Sequence, residues 1–294
     1  MSEREFISRF RLNRVAAMSL CSELKPFLKA SANGYSVQMQ VLSTLRFLSI
    51  GSFQYVLADV FHAKVSQATM CRFFNSVLSV LMQLAHKYIK YPSTENQLLE
   101  IQQGFCEVSG FSNVVGAIDC THIIINKPAV PDWFVYINRK NKFSINVQMV
   151  CDADLKVLDV VARWPGSAHD AFIWSLCGFE HCLESRILSH HGYLLGNSGY
   201  PLKRNLMTPF SNPSLPREYI YNEKHRKARG AVERCFSVIK SRFRALHDTG
   251  GTLLYSPNKV CKMVVAPAVL HNICLKYGVE NPEIDVFEDE DPEP

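Results

Sequence analysis

The ten cysteines of this 294-residue chain include no pair at CxxC spacing, which argues against a zinc ribbon or finger. They are scattered, and several lie in apolar runs as reduced core thiols do. No N-terminal secretory signal is visible, and no apolar run is long enough to span a bilayer. A reducing, intracellular compartment is the simplest expectation. Bases are missing from Glu280 onward, where eight acids stand without a Lys or Arg, so residues 280–294 read as a disordered acidic tail. Setting those eight acids aside moves the net charge from +5 to +13. A body this basic is compatible with a polyanionic partner. Much of the excess lies between Lys203 and Arg244, where eleven Lys or Arg accompany three Glu. Apolar residues are plentiful: 47% hydrophobic against 20% charged allows a sizeable core in one large domain or two smaller ones.

The chain is organised around residues 116–123, Gly-Ala-Ile-Asp-Cys-Thr-His-Ile. Apolar runs enter and leave this stretch, and one acid, Asp119, sits inside it. A lone acid in such a strand is either buried at a cost or placed where a cation meets it. We expect a metal. Residues 143–152 and 157–163 alternate as a hairpin that follows this first strand. Residues 169–177 pattern as a helix with Ser167 as cap, and 193–196 as a fourth strand. Asp170, in the first turn of that helix, would complement its dipole. Residues 203–225 read as loop, with Pro209, Pro213 and Pro216. A helix over 224–246 places Val232, Cys235, Phe236 and Ile239 on one stripe, with Glu233 at its edge beside Arg229, Ser237 and Lys240. An ordinary surface Glu paired with Lys240 would give the same pattern. The last helix, 258–275, contains Pro267, which should kink or divide it. Its His271-Asn272 pair reads as a satisfied hydrogen-bonding unit of the core.

Toward the N-terminus, residues 1–35 are weakly patterned. Residues 36–84 divide into three helix candidates, the second over 53–61 and the third capped by Ser66. This is the outline of a helix-turn-helix, which would turn Gln67, Thr69, Arg72 and Asn75 outward toward bases or phosphates. An ordinary helical subdomain with Arg72 merely solvated fits the same pattern, and on the pattern alone it is preferred. A further helix is expected over 95–108. The expected organisation is a helical region over 1–95, a strand-containing domain over 96–279 and the acidic tail.

The expected fold class is α/β: an RNase H-like mixed sheet flanked by helices, preceded by an all-α helix-turn-helix-like region. Such a core carries acids at the end of its first strand, near the end of its fourth, and on a late helix. Together they hold two divalent ions about 3.5–4 Å apart on a phosphodiester. Hard oxygen ligands suit Mg²⁺ or Mn²⁺.

Seven ordered segments sharpen this reading. They are Gly-Ala-Ile-Asp-Cys-Thr-His-Ile (116–123), Tyr-Ile-Asn-Arg-Lys (136–140), Trp-Pro-Gly-Ser-Ala-His-Asp-Ala (164–171), Leu-Gly-Asn-Ser-Gly-Tyr-Pro-Leu (195–202), Leu-Met-Thr-Pro (206–209), Val-Glu-Arg-Cys-Phe (232–236) and Leu-His-Asn-Ile (270–273). In them the chain resembles the PIF/Harbinger transposase superfamily, and the transposase-derived nucleases of animals in particular. The resemblance implies a metal-dependent DNA nuclease of DDE type, acting in the nucleus. It also strengthens the helix-turn-helix reading. Carried over, the first catalytic acid falls on Asp119 and the last on Glu233. The second falls on Asn197, where the family pattern has Asp, and Asn offers a cation only a neutral oxygen. Cleavage is therefore expected to be weakened, and a non-catalytic protein that binds DNA or a partner is the alternative. Asp170 is a further candidate ligand. Arg139, Lys140, Arg229 and Lys240 are expected to contact DNA phosphates. The implied partners are DNA and a Myb/SANT-like DNA-binding protein. No membrane partner is expected, and self-association is left open.

Overall fold

The computed structural model describes residues 1–28, 34–51, 65–180, 183, 192–247 and 251–282. Five strands form one mixed sheet: β1 (Val114–Ile124), β2 (Ser144–Cys151), β3 (Val157–Pro165), β4 (Tyr193–Leu195) and β5 (Leu206–Met207), in the order β3-β2-β1-β4-β5. β1, β2 and β3 pair antiparallel, while β4 joins β1 and β5 joins β4 in parallel. With helices on both faces this is the expected RNase H-like α/β arrangement. β1 lies at the centre, and its first six residues, Val114 to Asp119, are buried on both faces. At Gly116 a Cβ would fall 2.8 Å from Leu194 and 2.9 Å from Val150, so the strands close up there only around glycine.

Alternation along β1 assigns its residues to two cores. Past an irregularity between Val114 and Gly116, Ala117 and Ile123 join the larger core, which contains Val232 and Cys235, whereas Ile118 joins the smaller one with Trp174 and Tyr200. Asp119 shares the parity of Ala117 and Ile123 and points the same way. The helices facing it from that side set what it meets.

Before the sheet come α1 (Glu3–Phe10), α2 (Arg14–Leu24), α3 (Val37–Ile50), α4 (Gln67–Tyr88) and α5 (Glu95–Ser109). The first two occupy a stretch whose sequence is weakly patterned. Ser2 and Asn13 cap them, and Phe6, Phe10, Leu20 and Leu24 are buried in the larger core. Ser36 and Ser66 cap α3 and α4 by accepting from the N–H of Met39 and Thr69. The middle helix expected over 53–61 lies outside the described residues.

After β3 come α6 (Asp170–Leu176), α7 (Pro216–Arg242) and α8 (Pro257–Lys276). α6 begins at Asp170 with His169 at its cap and no side-chain cap bond, so Ser167 does not serve as the cap. α7 starts in the segment expected to be loop, because Pro216 occupies the first helical position, where its missing N–H has no partner to lose. β5 also falls in that segment. Pro267 does not divide α8 or end it, because Val264, Pro267 and Leu270 are buried and packing holds the helix together. Asn272 behaves as the expected core unit. Its Oδ1 accepts from Val157 N–H at 2.9 Å, and its Nδ2 donates to the carbonyls of Val157 and Tyr88. No described helix is long and apolar enough to cross a membrane.

Candidate active site

Asp119 extends from β1 toward α7. Its Oδ2 accepts from Arg229 Nη1 at 2.8 Å, and its Oδ1 accepts from Cys120 N–H at 2.7 Å and from Asn197 Nδ2 at 2.8 Å. Arg229 lies one helical turn before Glu233, and its Nη2 reaches Glu233 Oε1 at 2.7 Å. The guanidinium thus bridges the two outer acids of the expected triad. Asn197 follows β4. Its Oδ1 accepts from Gly199 N–H at 2.8 Å, which turns its amide nitrogen toward Asp119 and, at 3.5 Å, toward Asp170 Oδ2. Asp119, Asn197 and Asp170 therefore meet directly, and Glu233 joins through Arg229.

Burial raises the carboxyl of Asp119 to about 7, against the pull of Arg229 and the Cys120 N–H, with Asp170 and Glu233 adding to the rise. Beneath it, Cys120 Sγ lies 3.3 Å from the Tyr200 hydroxyl, and burial holds that thiol well above its ordinary value. His122 contacts Ser144 Oγ at 3.0 Å, and burial lowers its pKa, so the ring stays neutral.

The rise at Asp119 has a stability consequence. A carboxyl with a folded pKa near 7 and an ordinary value of 3.8 binds its proton more tightly folded than unfolded, so its contribution is lost as pH climbs between those values. Asp119→Asn cannot ionise. It should gain on the native chain by about 2–3 kcal/mol between pH 5 and pH 7, read from urea unfolding at the two pH values. A constant difference would contradict the raised pKa.

The expected DNA contacts are placed unevenly. Arg139 and Lys140 are exposed, as are Gln67, Arg72 and Asn75. Thr69 is buried and accepts from Arg72 Nη2 through its hydroxyl at 3.0 Å, so it does not face outward as expected. Arg229 is also buried and directed into the acids rather than toward solvent. Lys240 is half-buried and donates to Thr121 Oγ1 at 2.9 Å, two residues along β1 from Asp119 on the same face. The inward role of Arg229 is the feature that sequence reasoning missed. Its one signal was the four-residue spacing to Glu233 on a shared helix flank.

The pattern of acids implies a hard divalent cation, and the donor atoms can be tested against it. Asp119, Asp170 and Glu233 supply carboxylate oxygens, which suit Mg²⁺ or Mn²⁺. Among the described residues no three His, Cys, Asp or Glu side chains stand close enough together to hold an ion as they are. Asp119 and Asp170 face one amide nitrogen, that of Asn197, at 2.8 and 3.5 Å. Turning that amide over would present Oδ1 to the same space at the expense of the Gly199 bond. The donor chemistry fits: Asp119 and Asp170 could offer carboxylate oxygens, and Asn197 Oδ1 a neutral one.

A family profile described as DDE superfamily endonuclease matches residues 118–272, the span that contains Asp119, Asn197 and Glu233. The chain is 35% identical over 245 residues to "Putative nuclease HARBI1" of Homo sapiens, covering 83% of this chain and 69% of that protein. The protein of the same name from Xenopus laevis is 31% identical, covering 83% and 70%. "Protein ALP1-like" of Arabidopsis thaliana is 30% identical over 295 residues, covering 92% and 71%. No solved structure matches.

Proposed function

From the premise that this chain belongs to the DDE superfamily endonucleases, we propose that it is a divalent-metal-dependent DNA nuclease whose turnover is held low by Asn197. The observation that carries this is the meeting of Asp119, Asn197 and Asp170 at one point, with an uncharged amide at its centre. In this proposal Asp119 and Asp170 would hold Mg²⁺ or Mn²⁺, assisted by Asn197 Oδ1 and Glu233. The ion's contribution is to polarise the scissile phosphate and lower the pKa of the attacking water. The chain's own residues do the rest. Lys240, beside Thr121, and the exposed Arg139 and Lys140 neutralise phosphates and set the strand's register. Arg229 orients Asp119 and Glu233 toward each other. The proposal places this activity in the nucleus, with a Myb/SANT-like protein supplying target choice.

A second reading has one observation in its favour. Both oxygens of Asp119 already accept internal donors, as in a protein that keeps the fold for binding alone. Plasmid nicking in Mn²⁺ separates the two. The full chain is expected to nick slowly, and Asp119→Asn or added chelator should abolish what it does. Nicking that survives Asp119→Asn would remove this site from the chemistry. DNA binding with no nicking by the native chain would favour the second reading.

A further inference from the structure

Between β1 and β2 the chain carries an aromatic and basic segment that the acid cluster does not use. A single 3₁₀ turn, Trp133–Tyr136, presents Phe134 at 60% and Trp133 at 37% exposure. The two rings meet edge to face at 81° with centroids 6.3 Å apart, and Trp133 leans on Phe143 in the same manner at 6.1 Å. Trp133 is thereby braced, and Phe134 stays largely exposed. Lys127 Nζ lies 3.8 Å from the centre of the Trp133 ring. Phe143 and Lys142 also line a cleft of about 380 Å³ with Asn126 and Thr252. From 126 to 142 the chain has four bases, Lys127, Arg139, Lys140 and Lys142, and one acid, Asp132. All four bases are exposed.

This turn is fixed to the loop that leads into Asp170. Ser167 N–H donates to Val135 O at 3.0 Å, and a Cβ at Gly166 would fall 2.6 Å from Tyr136 O. Only glycine allows that approach, and the same loop runs three residues on into Asp170. The cleft lies six residues beyond Asp119 along β1, about 20 Å at the rise of a strand. An open aromatic face among lysines is the chemistry of a stacking platform with phosphate contacts on either side. A base within a duplex has both faces covered by its neighbours, so only a base outside the stack can use such a ring.

We propose that Phe134, braced by Trp133, stacks an unpaired DNA base beyond the Ile124 end of β1, with Lys127 and Lys142 on the flanking phosphates. The proposal rests on the reading of this chain as a DNA nuclease, and it makes the preferred substrate a strand that is locally unpaired.

The test uses the full chain in chelator, so that no cleavage is read. The probes are a duplex with a short single-stranded gap carrying 2-aminopurine and a fully paired duplex of equal length. The native chain should bind the gapped probe about tenfold more tightly and quench its fluorescence. Phe134→Ala should weaken gapped binding by about 5- to 100-fold and abolish the quench, leaving paired binding within about twofold. Phe134→Trp should retain both the preference and the quench. Because Phe134 is exposed, these variants test stacking rather than folding. Equal binding of the two probes by the native chain overturns the proposal. So does native-like gapped binding by Phe134→Ala, or an equal loss on both probes. Absence of binding to any DNA overturns this proposal together with the DNA half of the functional reading. A preserved gap preference in a chain that never nicks sinks only the cleavage half.

Discussion

Asn197→Asp is expected to raise Mn²⁺-dependent nicking by about 10²–10³-fold over the native chain, the range seen when one electrostatic stabiliser of a transition state is added or removed. The shapes of Asn and Asp are nearly the same, so the Gly199 N–H that now holds Asn197 Oδ1 can hold a carboxylate oxygen in its place. The change falls on the other atom. Where an N–H now donates to Asp119 and leans toward Asp170, a second anionic oxygen would stand. In the absence of metal that brings three carboxyls together, and each raises the proton affinity of the others. The variant should therefore be less stable than the native chain in chelator and more strongly stabilised by Mn²⁺, a second readout in the melting temperature that needs no cleavage. If Asn197→Asp neither nicks faster nor responds more to Mn²⁺, the second ligand is elsewhere. Asp170→Asn in the native chain then becomes the decisive variant.

Much of this geometry is legible in the sequence because it follows from two periodicities. Alternation along 117–125 places Asp119 on one face of a central strand, and a 3.6-residue stripe over 232–239 docks α7 with Glu233 at its edge. The short apolar run 193–195 brings Asn197 to the end of the neighbouring strand. What was not legible depends on contacts between distant segments. Nothing in the helix pattern says that Arg229 will find Asp119, 110 positions away, rather than water. Asp170 reads locally as a helix-cap acid, yet α6 forms without a side-chain cap bond and the carboxylate reaches across to Asn197. The three prolines between 209 and 216 suggest loop, although the last of them is a helix start. Pro267 breaks a helix only if the helix must stand alone, and α8 does not. The sequence neighbours of Thr69 point it outward, but it lies beneath Arg72. In each case a local rule gives way because packing or a long-range ion pair contributes more free energy than the local preference does.

The same ion pair yields the largest stability effect expected of a single substitution. Arg229 is 8% exposed and touches two acids, one of them, Asp119, also 8% exposed. Arg229→Met keeps the apolar stem of the side chain and removes the guanidinium. A buried carboxylate left without its cation costs about 3–5 kcal/mol. Asp119 can escape part of this by staying protonated, and burial already pushes its carboxyl up to about 7. Without Arg229, a cause that lowers it, that value must climb further. The variant's deficit should therefore be small at pH 5, where Asp119 is protonated in both chains, and should grow through pH 8 as only the native chain can hold the ionised form. Urea unfolding at pH 5 and pH 8 measures this. Adding Asp119→Asn should remove most of the growth, because the double variant no longer has a charge to strand. A deficit of equal size at both pH values would mean that Arg229 acts through packing alone. In that case Asp119 and Glu233 are not held together by charge, and the route by which Glu233 joins the acid cluster would have to be sought elsewhere on α7.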